Sequence, residues 1–230
     1  MTAPVQTLRL ADAREAADLA AFLGRLIHYD RAAAVRLQAA GARGRQNSLA
    51  VFGRPPSFEV LAIRTARLAE PDEDLRLDVT VSAGELLESV EGVHLAVPAA
   101  VTGPPWAGVL PPRGGWRELP GLPGLPEMRA AVAAAVTEFR SRDEALPHER
   151  RSRAERDRIG REIWSRTLGD TGLPLRAVHA AQSLGFLRPT PQGVPGAALF
   201  AAGGWLRLRT PFGSVAVRTG GLGGLTVTPA

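Results

Sequence analysis

The sequence contains no cysteine and no lysine. Without cysteine there can be no disulfide, thiolate metal site, iron–sulfur cluster or cysteine nucleophile. Without lysine there is no P-loop or kinase lysine, no Schiff-base chemistry and no attachment of pyridoxal phosphate. No stretch approaches 18 uninterrupted apolar residues, so no transmembrane helix is expected. The first twenty residues lack a basic region followed by an apolar run, so no signal peptide is expected either. A soluble cytoplasmic protein is the expectation that remains.

Catalytic signatures are equally scarce. There is no GxGxxG after a strand, no GxxxxGK[ST] and no GxSxG elbow. The four histidines, His28, His94, His148 and His179, are scattered, and none belongs to an HExxH pattern. Asp72-Glu73-Asp74 lacks EF-hand spacing and reads as a polar turn. No catalytic residue, cofactor or metal site is assigned on these grounds.

Alanine, arginine, glycine and proline together fill 110 of 230 positions, while asparagine and tyrosine occur once each. Residues with GC-rich codons are in excess, which points to a high-GC genome and makes the arginine total a weak sign of phosphate binding. The distribution of charge is more useful than the net +5. Residues 1–129 hold 14 arginines against 15 acidic residues, and residues 130–230 hold 14 against 8. An electrostatic partner is therefore expected on the C-terminal half.

The apolar pattern indicates an α+β fold. Leu19, Phe22, Leu23, Leu26 and Ile27 make one stripe of a helix over 12–29, which Asp12 and Glu15 would cap. Runs at 33–39, 49–54, 58–68 and 75–82, separated by Gly/Pro or acidic breaks, read as a meander of about four antiparallel strands. Ser82 and Glu85 form a capping box before a short helix. Residues 98–126 hold 8 prolines and 6 glycines, with Trp106 and Trp116 among them. A flexible linker seldom carries two large indoles, so an ordered connector is expected, with a linker as the alternative.

Met128, Val132, Ala135, Val136 and Phe139 form the stripe of a further helix, which Pro147 ends. Ser152 and Glu155 cap another, and a third is expected over 174–187, ended near Gly185 or Pro189. Residues 203–219 alternate as a hairpin around Thr210-Pro211-Phe212-Gly213. The expected divisions are a helix-plus-antiparallel-sheet subdomain (1–97), the ordered connector (98–126) and a helical subdomain closed by the hairpin (127–230). The segment 58–68 is echoed at 212–222, a likeness that chance or a shared hairpin pattern explains more readily than duplication.

Candidate binding residues follow from this layout. On the hairpin, Trp205, Arg207 and Arg209 share one face, with Arg218 expected to project from the same side. Arg113, beside Gly114, Gly115 and Trp116, is an anion-binding candidate in the connector. Trp and Arg are the residues most often found at the energetic centres of interfaces. The favoured reading is a non-enzymatic cytoplasmic interaction module, adaptor or regulatory in kind. It would engage a protein partner or a second copy of the chain through Trp205, Arg207, Arg209, Arg218, Arg113 and Trp116, with no membrane involved. The alternative is a nucleic-acid-binding regulator with a winged-helix-like C-terminal half, in which Arg176, His179 and Gln182 reach base edges. An enzyme with an unrecognised Asp/Glu/His site ranks third.

Overall fold

The computed structural model describes residues 6–41, 47–70, 72–190 and 192–219. Pro71 of the acidic turn and Leu222 of the echo lie outside the described residues. The first half comprises β1 (Thr7–Arg9), α1 (Ala13–Tyr29), β2 (Ala34–Ala40), β3 (Ser48–Gly53), β4 (Leu61–Arg67), β5 (Arg76–Ser82), α2 (Ala83–Glu88), β6 (Val90–Glu91) and β7 (His94–Ala96). A short 3₁₀ turn at Pro105–Gly108 lies in the connector. The second half comprises β8 (Arg117–Leu119), α3 (Leu125–Glu144), α4 (Arg153–Ser165), α5 (Leu175–Ser183), β9 (Ala198–Ala202), β10 (Trp205–Thr210) and β11 (Gly213–Arg218).

Local chemistry sets most helix boundaries. Asp12, Ser82 and Ser152 each accept a hydrogen bond from the backbone N–H of the glutamate three residues on, Glu15, Glu85 and Glu155. The third C-terminal helix runs to Ser183 and closes at Gly185, the nearer of its two expected stops. Gly185 takes a left-handed φ of +73°, and the N–H groups of Gly185 and Phe186 turn back to Gln182 and Ala181. That closure satisfies the last carbonyls and aims Phe186 at Phe22 of α1, with ring centroids 5.8 Å apart. Between α3 and α4, Arg142 forks onto Glu162 at 2.7 Å, and Arg166 binds Glu138 at 2.6 and 2.9 Å. Arg142 is the main reason the Glu162 carboxyl is held down to about 2. The dense charge of 138–166 is thus largely spent within this helical hairpin.

Eight strands form one antiparallel sheet in the order β5-β2-β3-β4-β11-β10-β9-β8, and β1, β7 and β6 form a small second sheet. β2, β3 and β4 make the expected meander, whereas β5 returns to the outer edge of β2. β4 pairs directly with β11, with Ala62 opposite Val215. The closing hairpin therefore extends the first sheet, and the order of one helix and three antiparallel strands occurs twice, as α1-β2-β3-β4 and α5-β9-β10-β11.

The echoed segments are thus neighbours, but the echo aligns opposite faces. Leu61 and Ile63 point away from the helices, while their counterparts Val215 and Val217 point toward them. Matching letters do not occupy matching positions.

The two sheet faces differ. On one, Val35, Leu37, Val51, Ala62, Val215, Leu206 and Leu208 join α1, α3, α4 and α5 in the main core. The other is roofed in part by the connector. Val101 N–H donates to Thr80 O at 2.9 Å, and Arg36 Nη1 donates to Ala107 O. Trp106, Leu110 and Trp116 then pack on a small second cluster of Phe52, Leu61, Ile63, Trp205 and Ala216. None of the described helices is long and apolar enough to cross a membrane.

Candidate functional site

The alternation along β10 sends Leu206 and Leu208 into the main core and Trp205, Arg207 and Arg209 to the connector side. Trp205 does not lie on an exposed indole face, contrary to expectation. It is only 8% exposed, packed among Phe52, Leu61, Ile63 and Ala216 and roofed by connector residues. Arg218 is exposed and covers it, with the guanidinium carbon 5.3 Å from the indole centroid. A Trp offers so much apolar area that a neighbouring segment able to cover it gains substantially, and the connector does so.

Arg207 is half-buried beside this cluster. Its Nε donates to Ser214 Oγ at 2.9 Å, and its guanidinium lies 5.6 Å from the Trp116 ring centroid. Burial, and then the neighbouring charge of Arg209, pull its pKa below the ordinary value. Among the described residues, no carboxylate stands within ion-pair distance of Arg207 or Arg209. Such a cation has lost much of its hydration without gaining a counter-charge.

The groove in front of Arg207 has a volume of about 810 Å³. Ile63 and Phe200 supply apolar floor, Thr65 and Ser214 hydroxyls, and the 194–198 loop one wall. Exposed Glu118 on β8 lies at the far side, two strands from Arg207. Sequence reasoning found the two arginines. It missed Ile63, Phe200, Ser214 and Glu118, whose only signal was their parity on strands whose neighbours were unknown.

Arg113 and Trp116 do not join Arg207 in one patch of equals. Trp116 is half-buried, donating from Nε1 to Pro112 O at 2.9 Å, with its ring centroid 5.6 Å from the Arg207 guanidinium. Arg113 is exposed, and its charge reaches Asp78, the carboxylate that Arg36 grips at 2.7 and 2.9 Å. The six candidates thus divide between the groove, the Trp205 cluster and the β2–β5 edge.

The helix α5 does not present Arg176, His179 and Gln182 as a free recognition face. Leu175, Ala177, Val178, Ala180 and Ala181 are buried, and the three polar residues are half-buried. A helix entering a major groove needs one open side; α5 is packed against β10, β11, α3 and α4. The His179 ring stacks on Trp164, with centroids 4.4 Å apart, and meets the Phe58 ring edge-on at 5.1 Å. Arg176 Nε is buried 3.7 Å from Glu59 without a hydrogen bond, and Gln182 Oε1 is buried unbonded.

Burial lowers the His179 pKa from its usual 6.5. The unfolded chain therefore takes up this proton at a higher pH than the native protein. The stabilisation is complete above about 6.5 and is lost as pH falls below that value. The melting temperature should therefore fall as pH is lowered below about 6.5, and His179→Phe should remove part of that drop. An identical drop in the variant would assign the pH dependence elsewhere.

No curated protein and no solved structure matches the chain. Two family models do, one after the other, and each takes in one of the two helix-plus-three-strand units. Residues 3–108 match the family described as Domain of unknown function (DUF8010), and residues 111–222 match the family described as Domain of unknown function (DUF8185).

Proposed function

We propose that the chain is a non-enzymatic cytoplasmic interaction module whose groove at Arg207 and Arg209 takes an extended protein segment carrying acidic and apolar side chains. The carrying observation is the partly dehydrated Arg207 guanidinium, which has Arg209 beside it and no carboxylate partner among the described residues. An incoming carboxylate relieves that repulsion and uses the planar fork of an arginine in its preferred way. Ile63 and Phe200 offer the floor against which an apolar neighbour of that carboxylate is buried. Glu118, on the far wall, disfavours a uniformly anionic ligand such as a nucleic-acid backbone.

A fluorescein-labelled peptide alternating glutamate with leucine tests the proposal, with duplex DNA as the competing probe. The peptide should bind saturably, and Arg207→Gln with Arg209→Gln should weaken it at least tenfold, roughly 1.4 kcal/mol. Unchanged peptide binding by the double variant, or tighter salt-sensitive binding of DNA lost in that variant, would overturn the proposal.

A further inference from the structure

A second cleft, of about 760 Å³, lies between the turn joining β3 to β4 and the helices α3, α4 and α5. Its walls are ring systems: Phe58 from the turn, Phe139 from α3, Trp164 from α4 and His179 from α5. Several local sacrifices of stability converge on it. Ser57 and Glu59, neither of them glycine, hold left-handed φ values of +68° and +52°, and between them they set Phe58 against His179. Such conformations are costly for residues with a side chain and persist only where the surroundings impose them. Gly160 sits inside α4 and lines the cleft. A Cβ there would meet Phe139 at 3.6 Å and Trp164 at 3.8 Å, which are ordinary contacts. Packing therefore does not require glycine, although glycine weakens a helix interior relative to alanine. Arg176 lines the cleft and leaves its buried Nε without a hydrogen bond.

The charges in the cleft are unevenly matched. Arg156 is bound to Asp143 at 2.7 Å, Glu162 is gripped by Arg142 and Arg166, and Asp157 faces Arg153 at 3.9 Å. Glu59 is mostly exposed and 3.7 Å from Arg176, beyond hydrogen-bond reach. Arg161 is exposed on the rim, with no carboxylate in ion-pair distance among the described residues. The cleft is lined by three arginines and three carboxylates; once these pairs are formed, Arg176 and Arg161 face only Glu59, above a floor of rings.

We propose that this cleft binds a small planar aromatic anion, its ring seated against Phe139 and Trp164 beside Gly160 and its carboxylate or sulfonate directed to Arg176 and Arg161. Flat rings gain from offset or edge contact with other rings, and the anion gains from the Arg176 Nε that lacks a hydrogen bond and from Arg161 on the rim. The site is separate from the Arg207 groove, so either can fail without the other.

Indole-3-acetate and naphthalene-2-sulfonate serve as probes and tryptamine as the control with opposite charge, read by ligand-observed NMR titration and by melting temperature. At least one anion should bind saturably, with tryptamine at least tenfold weaker. Gly160→Ala should raise the melting temperature of the free protein, and Gly160→Leu should weaken anion binding at least tenfold while the protein stays folded. Arg176→Gln with Arg161→Gln should weaken the anions and leave tryptamine unchanged. Absence of saturable binding by both anions at millimolar concentration, equal binding of tryptamine, or undiminished binding to Gly160→Leu overturns the proposal.

Discussion

Trp205→Ala is expected to lower stability by about 3–5 kcal/mol, the usual cost of emptying a buried aromatic site. The indole is 8% exposed and forms the middle of the cluster that joins Phe52 and Leu61 to Ala216. Its removal also takes the floor from under the connector, because Trp106, Leu110 and Trp116 pack on that cluster. The cavity cannot collapse easily, since the surrounding residues sit on hydrogen-bonded strands of one sheet. Denaturant unfolding followed by fluorescence measures the loss. Stability within about 0.5 kcal/mol of wild type, the usual range for surface changes, would place Trp205 on the outside and contradict its packing under the connector.

The second large effect concerns Arg64, whose side chain is 7% exposed. Its Nη1 donates to Phe212 O at 3.0 Å, and its Nη2 lies 3.1 Å from Glu15 and 3.5 Å from Asp18. One guanidinium thereby ties α1 and β4 of the first unit to the turn between β10 and β11 of the second. Arg64→Met keeps the apolar stem and strips the charge. Breaking a buried pair from one side costs about 3–5 kcal/mol. The lower end applies, because Arg67 still faces Glu15 at 2.8 Å and Arg188 still faces Asp18 at 3.1 Å. Adding Glu15→Gln to Arg64→Met should recover part of the loss. Strict additivity of the two substitutions would mean that they are not coupled.

Much of the fold was legible because its signals are local. The stripe ending at Ile27, the caps at Asp12, Ser82 and Ser152, and the alternation around Phe212 each depend on residues a few positions apart. Strand order is not local. Nothing in 75–82 says that β5 pairs with β2 rather than β4, and the alanine-rich β9 carries little β-branched character to announce a strand. The same limit governs the site. Alternation separated Trp205, Arg207 and Arg209 from Leu206 and Leu208, but the period of a strand cannot tell what covers its second face. That cover comes from Trp106 and Trp116, some ninety residues earlier, so a half-roofed face read as an open one. The aromatic cleft was hidden for the same reason, since Phe58 and His179 meet across 121 positions. Gly160 inside a helical pattern was its one local trace.

Whether Arg207 is held for an incoming carboxylate can be read on the free protein. Arg207→Met keeps the hydrophobic stem, removes the desolvated charge and ends the repulsion with Arg209, while giving up the bond to Ser214. If the charge is retained for binding, the variant should melt at or above the wild-type temperature, a gain of up to about 1 kcal/mol. It should also lose the rise in melting temperature that the glutamate–leucine peptide gives the parent. A variant that melts several degrees lower without ligand would mean that Arg207 is part of the scaffold through Ser214 and Trp116, and the account of the groove would fall.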